Sequence, residues 1–417
     1  MAPAPQTRLT PAEACRAILA EIEPLEQERV PLADALGRVL TADVTSPIDL
    51  PPWDNSAMDG YAARAGDVVA GAELRVVELI PAGGFPTRTL GPGECARIFT
   101  GAPVPSGADS VVRQEHTTRL DRDRVRIDDA HDAGRNVRPR AEDIAAGTVA
   151  LTAGTEVGAA QMAFLAAMAT FEVEVHRRPT VAILSTGDEV ADEDEREEIL
   201  AGRKIASSNT YGMAAAAIAA GADALSLGIV RDDQAQIRDR LALADAADLL
   251  VTSGGMSVGE HDHLRAILEA SGDAMRFWRL RSRPGAPVGF GVLDGLPWLG
   301  LPGNPVSAMV TFELFARPAI RRLLGHRRLF RRTVPVVLGE RLKTPARLTH
   351  FLRVTLTEEG DALVARLTGP QGSGFVSSMA RADALLIVPE DRDEAGPGDT
   401  LRAIRLNEAA HVTEAPF

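Results

Sequence analysis

Apolar and polar positions along this chain change their rhythm several times. Residues 9–22 place apolar side chains at helical spacing, with Thr10 as N-cap, Pro11 at the first helical position and Glu13 completing a capping box. Residues 32–40 read as a second short helical stretch. Between 71 and 127 the period falls to two. Strand-like runs at 74–80, 96–99, 110–114 and 125–127 are parted by Gly and Pro, the spacing of a small β-rich domain. A helical period returns over 157–168, so the β-rich part reads as an insertion between helical segments.

After Pro179 apolar runs alternate with helices. Strands are expected at 180–184, 224–230, 248–252, 288–293 and 297–299. Helices are expected over 209–220, from the Asp232-Asp233 pair to about 243, over 262–270 and over 305–324. That alternation predicts a parallel sheet with right-handed crossovers. The Arg-rich stretch 321–332 reads as a solvated helix end plus linker, and the acidic run 192–198 as an exposed loop. From 334 onward, runs at 334–338, 351–357, 362–367, 384–388 and 401–404 predict a small terminal β domain. The expected architecture is α/β and β multidomain: a helical linking domain (1–46 and 144–178), an inserted β-rich domain (47–143), an α/β domain (179–328) and a C-terminal β domain (329–417).

Composition narrows the function classes. Apolar residues at 45% suffice for real cores, but aromatics at 4% leave aliphatic side chains to fill them. The chain has 45 Lys+Arg and 58 Asp+Glu, a net charge of −13. That balance argues against coating nucleic acid or anionic lipid. A small anionic substrate is still possible if the site brings local donors or a metal. Two cysteines, Cys15 and Cys95, exclude a disulfide scaffold and suit a reducing, cytoplasmic setting. No apolar run is long enough to span a bilayer, and residues 1–10 have no signal-peptide core.

In open parallel sheets, ligands bind beyond the carboxyl ends of the strands. Four expected strand ends carry unusual loops: Ser185-Thr186-Gly187-Asp188-Glu189, Arg231-Asp232-Asp233, Ser253-Gly254-Gly255 continuing through Ser257 and Gly259 to Asp262, and Pro302-Gly303-Asn304-Pro305 with Ser307. The glycines at 254–259 suit a phosphate or pyrophosphate cradle, and suit an ordinary turn into a helix equally well. Pro305 and Ser307 also fit plain helix entry. Asn304 is either an anion donor or a turn residue. Glu189, Asp232, Asp233 and Asp262 would crowd together, which calls for a shared proton or a cation, and Mg²⁺ suits such oxygen ligands. Each acid alone also fits a helix N-cap. His261, His263 and His350 show no metal-ligand spacing. In the N-terminal half, residues 51–61 around Asp59, residues 99–105 around Thr100, and residues 138–143 ending at Asp143 are neither clean strands nor clean helices.

These segments, in this order, resemble the molybdopterin molybdenumtransferase family (MoeA and the gephyrin E-domain). The likeness runs from about Thr7 to Ala409, on residues 35–40 with 51–62, 100–105, 138–143, 185–189, 254–262, 284–285, 300–307, 372–378 and 384–389. It implies an elongated homodimer whose active site joins the α/β domain of one subunit to N-terminal loops of the other. It implies insertion of molybdate into adenylylated molybdopterin, with release of AMP and formation of molybdenum cofactor. The implied cofactor is Mg²⁺, held by Glu189, Asp232 and Asp262. The implied catalytic residues are these three with Asp59, Thr100 and Asp143. The implied substrate-binding set is Ser185, Thr186, Gly187, Asp188, Ser253, Gly254, Gly255, Ser257, Gly259, Arg283, Pro302, Gly303, Asn304, Pro305 and Ser307. Further implied partners are a separate molybdopterin adenylyltransferase and apo-molybdoenzymes, with neither nucleic acid nor membrane. The chain departs from the family pattern at Ala141, where a Gly is usual, and at Arg279, Arg283 and Ala286, where lysines are favoured. Ala286 cannot bind an anion through its side chain, which keeps a non-catalytic scaffold open as a second reading. An unrelated nucleotide-dependent α/β enzyme is a third. A dinucleotide dehydrogenase is disfavoured, because Ser185–Glu189 stands where a G-x-G-x-x-G would be.

Overall fold

A computed structural model describes residues 8–231, 233–255, 267, 277–345 and 347–406. The expected helix 262–270, and the expected site residues Asp232, Ser257, Gly259 and Asp262, lie outside the described residues, as does Ile267's immediate surroundings in sequence. The chain divides into two compact units, Arg29–Val175 and Met1–Glu28 with His176–Phe417.

In the unit Arg29–Val175, six strands form one sheet in the order Ser110–Arg113, Gly60–Ala63, Glu94–Ile98, Glu73–Ile80, Arg124–Ile127, Thr117–Arg119. Side chains alternate faces with period two. Tyr61, Ala63, Cys95 and Val112 enter one core, while Ala62, Ala96, Ile98 and Val111 enter another. Both faces of this sheet are therefore buried. The segments flanking it in sequence also meet, because Val30, Ala35 and Leu40 pack with Val157, Leu165, Met168 and Val175. The only α-helix described in this unit is Ala159–Ala167. The helical stretch expected at 32–40 is a single 3₁₀ turn, Leu32–Asp34, after which the chain passes into extended bridges at Val39 and Leu40.

The other unit opens with the helix Pro11–Ala20, whose capping box forms as the sequence predicts: Thr10 Oγ1 accepts from Glu13 N–H, and Glu13 accepts from Thr10 N–H at 2.8 Å. Its Ala14 and Ile18 join a core with Val181, Ile183, Met213, Phe312 and Phe315. The central sheet has the order Asp223–Val230, Thr180–Thr186, Leu249–Ser253, Leu296–Leu301, Pro287–Leu293, Phe277–Arg279. The first four strands are parallel and Pro287–Leu293 runs antiparallel to both of its neighbours, so the expected parallel sheet carries a mixed edge. Along Thr180–Thr186, Val181 and Ile183 face one layer while Ala182 and Leu184 face the other, beside Ile237, Leu241 and Trp298. A strand covered on both faces reads as one apolar run, which is how it appears in the sequence.

The long helix expected at 305–324 is Pro305–Thr311 and Arg317–Leu323 joined by a π turn, Phe312–Ala316. Pro318 explains part of this break. It has no N–H for Leu314 O, four residues earlier, and that carbonyl accepts from the Cys15 thiol at 3.1 Å instead. The acidic run 192–198 is not a loop: it forms a 3₁₀ turn, Glu193–Glu195, and a short helix, Arg196–Leu200. The Arg-rich linker is also less solvated than expected, since half-buried Arg331 pairs with Glu313 at 2.7 Å. In the last domain, Thr349–Glu359, Ala362–Leu367, Thr333–Leu338, Thr400–Arg405 and Ala384–Val388 pair in turn, and the fifth pairs back with the first. The ring closes into a small barrel, which leaves no free edge among these strands. No helix among the described residues is long and apolar enough to cross a membrane.

Candidate active site

The strand order of the central sheet fixes where a ligand can enter. From Thr180–Thr186 the chain crosses to Asp223–Val230 on one side, and then to Leu249–Ser253 on the other. Crossovers that leave in opposite directions open a crevice at the carboxyl ends of the two middle strands. A cleft of about 460 Å³ lies there. Eleven residues singled out in the sequence line it together: Ser185, Thr186, Gly187, Glu189, Ser253, Gly254, Gly255, Pro302, Gly303, Asn304 and Pro305.

The loops meet at backbone distance. Gly254 has φ +95°, and a Cβ there would lie 2.5 Å from Thr186 O. Only glycine fits both demands. Asn209, at the start of the helix Ser208–Ala219, ties the loops to one another: its Nδ2 donates to Ser253 Oγ at 2.5 Å and to Gly303 O at 2.7 Å. A carbonyl can only accept, so Gly303 fixes the orientation of the amide and turns Oδ1 the other way. Asn209 Oδ1 and Thr186 Oγ1 are buried without a hydrogen-bond partner. In the sequence, Asn209 reads only as the beginning of a helix. The signal for its role was the run Ser207-Ser208-Asn209-Thr210, four small polar residues ahead of an alanine-rich segment. Ser185 Oγ and Ser207 Oγ both meet Thr210 Oγ1, at 2.8 and 2.6 Å, beneath the cleft floor.

Glu189 is the one charged side chain among the described lining residues, and no arginine or lysine is among them. Its expected companions, Asp232 and Asp262, lie outside the described residues. Among the described residues no three His, Cys, Asp or Glu side chains converge on a metal position. The donor atoms that do line the cleft are oxygens, including the two without partners, which is the chemistry of a hard divalent cation. Asp188 sits next door, in a cavity of about 390 Å³ with Lys204 and Arg231, and its carbonyl accepts from Lys204 Nζ. Ser307 is buried inside the helix, where its carbonyl accepts from Thr311 Oγ1 at 2.7 Å, and it does not line the cleft. Arg283 is exposed, on a two-residue strand paired with His350, and does not line it either. Pro305 occupies the first helical position as expected, and Val306 N–H donates to Ser373 O at 3.1 Å, joining the helix start to a loop of the terminal barrel. Arg353, fully buried, holds that same loop through Gly372 O at 3.0 Å and Ser378 Oγ at 3.1 Å.

In the unit Arg29–Val175, three of the odd segments come together. Asn55–Ser56 pairs with Val137–Arg138, Asn55 bridges to Pro103, and Ser56 N–H donates to Ala102 O at 3.0 Å. At their centre, Asp59 Oδ1 accepts from Thr100 Oγ1 at 2.7 Å and from Thr100 N–H at 2.8 Å. The Thr100 hydroxyl, then its N–H and the nearby Arg97 guanidinium, hold the Asp59 carboxyl below its ordinary range. Gln114 N–H donates to Asp59 O at 3.0 Å, and Arg97 Nη1 to Gly60 O at 2.9 Å, so the backbone here is pinned as well. Asp143 is exposed on the adjoining turn, and its N–H donates to Leu50 O.

Known proteins fit this arrangement along the whole chain. Residues 9–169 match the MoeA N-terminal region (domain I and II), residues 182–322 a probable molybdopterin binding domain, and residues 335–406 the MoeA C-terminal region (domain IV). A molybdopterin molybdenumtransferase of Nostoc sp. is 40% identical over 395 residues, which covers 91% of this chain and 89% of that protein. Molybdopterin molybdenumtransferase 2 of Mycobacterium tuberculosis is 38% identical over 389 residues, covering 89% and 93%. The solved structure of a molybdopterin biosynthesis moeA protein from Pyrococcus horikoshii superposes with a TM-score of 0.80 at 29% identity, covering 97% of this chain and 100% of that one. With all three regions matched in order and relatives of similar length, the chain belongs to the molybdopterin molybdenumtransferase (MoeA) family.

Proposed function

We propose that this protein inserts molybdate into adenylylated molybdopterin, releasing AMP and giving molybdenum cofactor. The observation that carries the reading is the cleft at the sheet's switch point, in a chain whose relatives bear that enzyme name over nearly their full length. Its backbone and hydroxyl groups suit a pyrophosphate. Its lack of described basic lining residues, beside the Glu189 carboxylate, means that an anionic substrate needs a cation to enter.

Mg²⁺ meets that need, with Glu189, Asp232 and Asp262 as its carboxylate ligands. When bound it supplies charge neutralisation of the pyrophosphate and polarises the bond to AMP. The chain's own groups do the rest. Gly254 lets Thr186 and the incoming phosphate share one narrow space. Asn209 locks Ser253 and Gly303 in register. Asp59, kept ionised by Thr100, offers its second carboxylate oxygen to the reacting group. Asp143, Asp188, Ser257, Gly259, Arg283, Asn304 and Ser307 complete the proposed set. The protein works as a cytoplasmic homodimer, in which the loops bearing Asp59 and Thr100 serve the cleft of the second copy. A separate adenylyltransferase supplies the substrate, and apo-molybdoenzymes take the product.

The test is AMP release from adenylylated molybdopterin and Mg²⁺, with and without molybdate, followed together with cofactor formation. Molybdate-dependent AMP matched by cofactor is expected. Glu189→Gln is expected to lower turnover by about a hundredfold, partly restored by raised Mg²⁺. A wild-type rate in Glu189→Gln would remove that residue from the mechanism, and tight substrate binding without AMP would replace the enzyme with a scaffold.

A further inference from the structure

The first helix has two apolar faces. Ala14 and Ile18 of Pro11–Ala20 enter the core beside the central sheet. Ala12, Cys15 and Leu19 follow the three- and four-residue spacing of a different helix face, and they line a groove of about 460 Å³. Leu329, Phe330 and Ile404 line it with them, and every lining residue belongs to one compact unit. Phe330 is 59% exposed. Apolar surface left open to water is unfavourable in proportion to its area. Of the three charged lining residues, Glu313 and Arg331 pair with each other at 2.7 Å. The third, Arg16, is exposed, and so is Arg332, which stands between the lining residues Arg331 and Thr333.

The path of the chain points to an occupant. Ile404 pairs with Thr333, and both line the groove. The described chain reaches Leu406 only two residues later, so it leaves the last barrel strand at the edge of the groove. Residues 407–417 follow, a segment that spans up to about 35 Å when extended. The helix from Pro11 to Leu19 is only about 12 Å long. The composition of 407–417 matches the groove. Ala409, Ala410, Val412, Ala415, Pro416 and Phe417 are apolar, and the charged side chains, Glu408 and Glu414, are opposite in sign to Arg16 and Arg332. We propose that residues 407–417 seat in this groove of their own chain, with apolar side chains on Leu19 and Phe330 and the two carboxylates toward Arg16 and Arg332. The tether keeps the segment at about millimolar effective concentration, so fewer contacts suffice than a separate protein would need. Seated there, the segment straps the first helix to the last barrel strand.

The test is hydrogen exchange of the full chain by mass spectrometry, with a synthetic 407–417 peptide as the free reference. Amides of 407–417 are expected to exchange at least about tenfold more slowly in the protein than in the peptide. Phe330→Asp should return them to the peptide's rate with an unchanged Tm, because Phe330 is mostly exposed. Arg16→Glu should reduce the protection about threefold, and Glu408→Arg with Glu414→Arg in that background should restore it. Equal exchange in wild type and peptide would overturn the proposal and leave the groove to a separate partner. Protection that survives Phe330→Asp would overturn it by seating the segment elsewhere. Protection that falls as the protein is diluted would also overturn it, by assigning the groove to the tail of a second copy.

Discussion

Single residues in this protein are constrained by what little room they have. Gly254 holds φ +95° with its Cα against Thr186, so the cleft wall depends on a missing side chain. Asp132 is constrained by charge. It is buried, and burial alone would raise its carboxyl, but Arg113 donates to it from both side chain and backbone N–H, and Asn136 adds to that. The balance brings it down to about 2 from an ordinary 3.8. A carboxyl with a depressed folded pKa stabilises above its unfolded value and loses that contribution as the pH falls through the folded one. Asp132 should therefore contribute about 2 kcal/mol above pH 4 and lose it between about pH 4 and 2. It also holds His116 Nδ1 at 3.0 Å, on the turn whose Gln114 supports Asp59. Asp132→Asn should lower the urea midpoint at pH 7 and flatten the acid dependence; equal midpoints at pH 7 would show that the ion pair contributes nothing.

At the scale of elements, the hairpin Pro287–Leu293 to Leu296–Leu301 does more for the site than its length suggests. Leu293 faces Leu296 across a two-residue turn, Asp294 at φ 49° and Gly295 at φ 87°. Two left-handed residues make a type I′ turn, whose twist matches paired strands. The returning strand is buried from Trp298 to its end at Leu301, so the turn sets where residues 302–305 reach the cleft. A Cβ on Gly295 would touch nothing within 4 Å, which leaves only the backbone cost. Gly295→Ala should destabilise by about 1 kcal/mol in urea unfolding, with substrate KM raised as the strand end shifts. An unchanged midpoint would mean that the turn tolerates an L side chain. The capping box at Thr10 and the strand at 180–186 were legible in the sequence because their signals are local. The 3₁₀ turn at 32–34 was not. Apolar spacing over nine residues cannot tell one helical turn from a chain that leaves to pair with residues 155–175.

At the scale of the whole molecule, the proposed dimer makes a prediction that no single chain can meet. Asp59→Asn and Glu189→Gln should each lose turnover by about a hundredfold alone. Mixed and refolded or co-expressed together, the hybrid dimers should recover activity, since one of their two sites carries neither change. Recovery approaching half of the wild-type rate per hybrid is expected; none at all, with hybrids shown by mass, would mean that both residues act within one copy.

The linear chain already carries the alternation of strand and helix, the β-rich insertion, the terminal β domain and the family. Each of these rests on local periodicity or on motifs that survive as strings of neighbouring residues. It also singled out the loops at 185–189, 253–255 and 302–305, because glycine, proline and small polar residues at strand ends mark themselves. The folded chain brings these three loops to one cleft, which follows from the order in which the strands lie in the sheet. It alone separated Pro305, at the cleft, from Ser307, two residues on and turned into the core. It brought forward Asn209, whose significance comes from a partner 94 residues away. Spatial adjacency between distant segments is set by packing, and no local pattern encodes it.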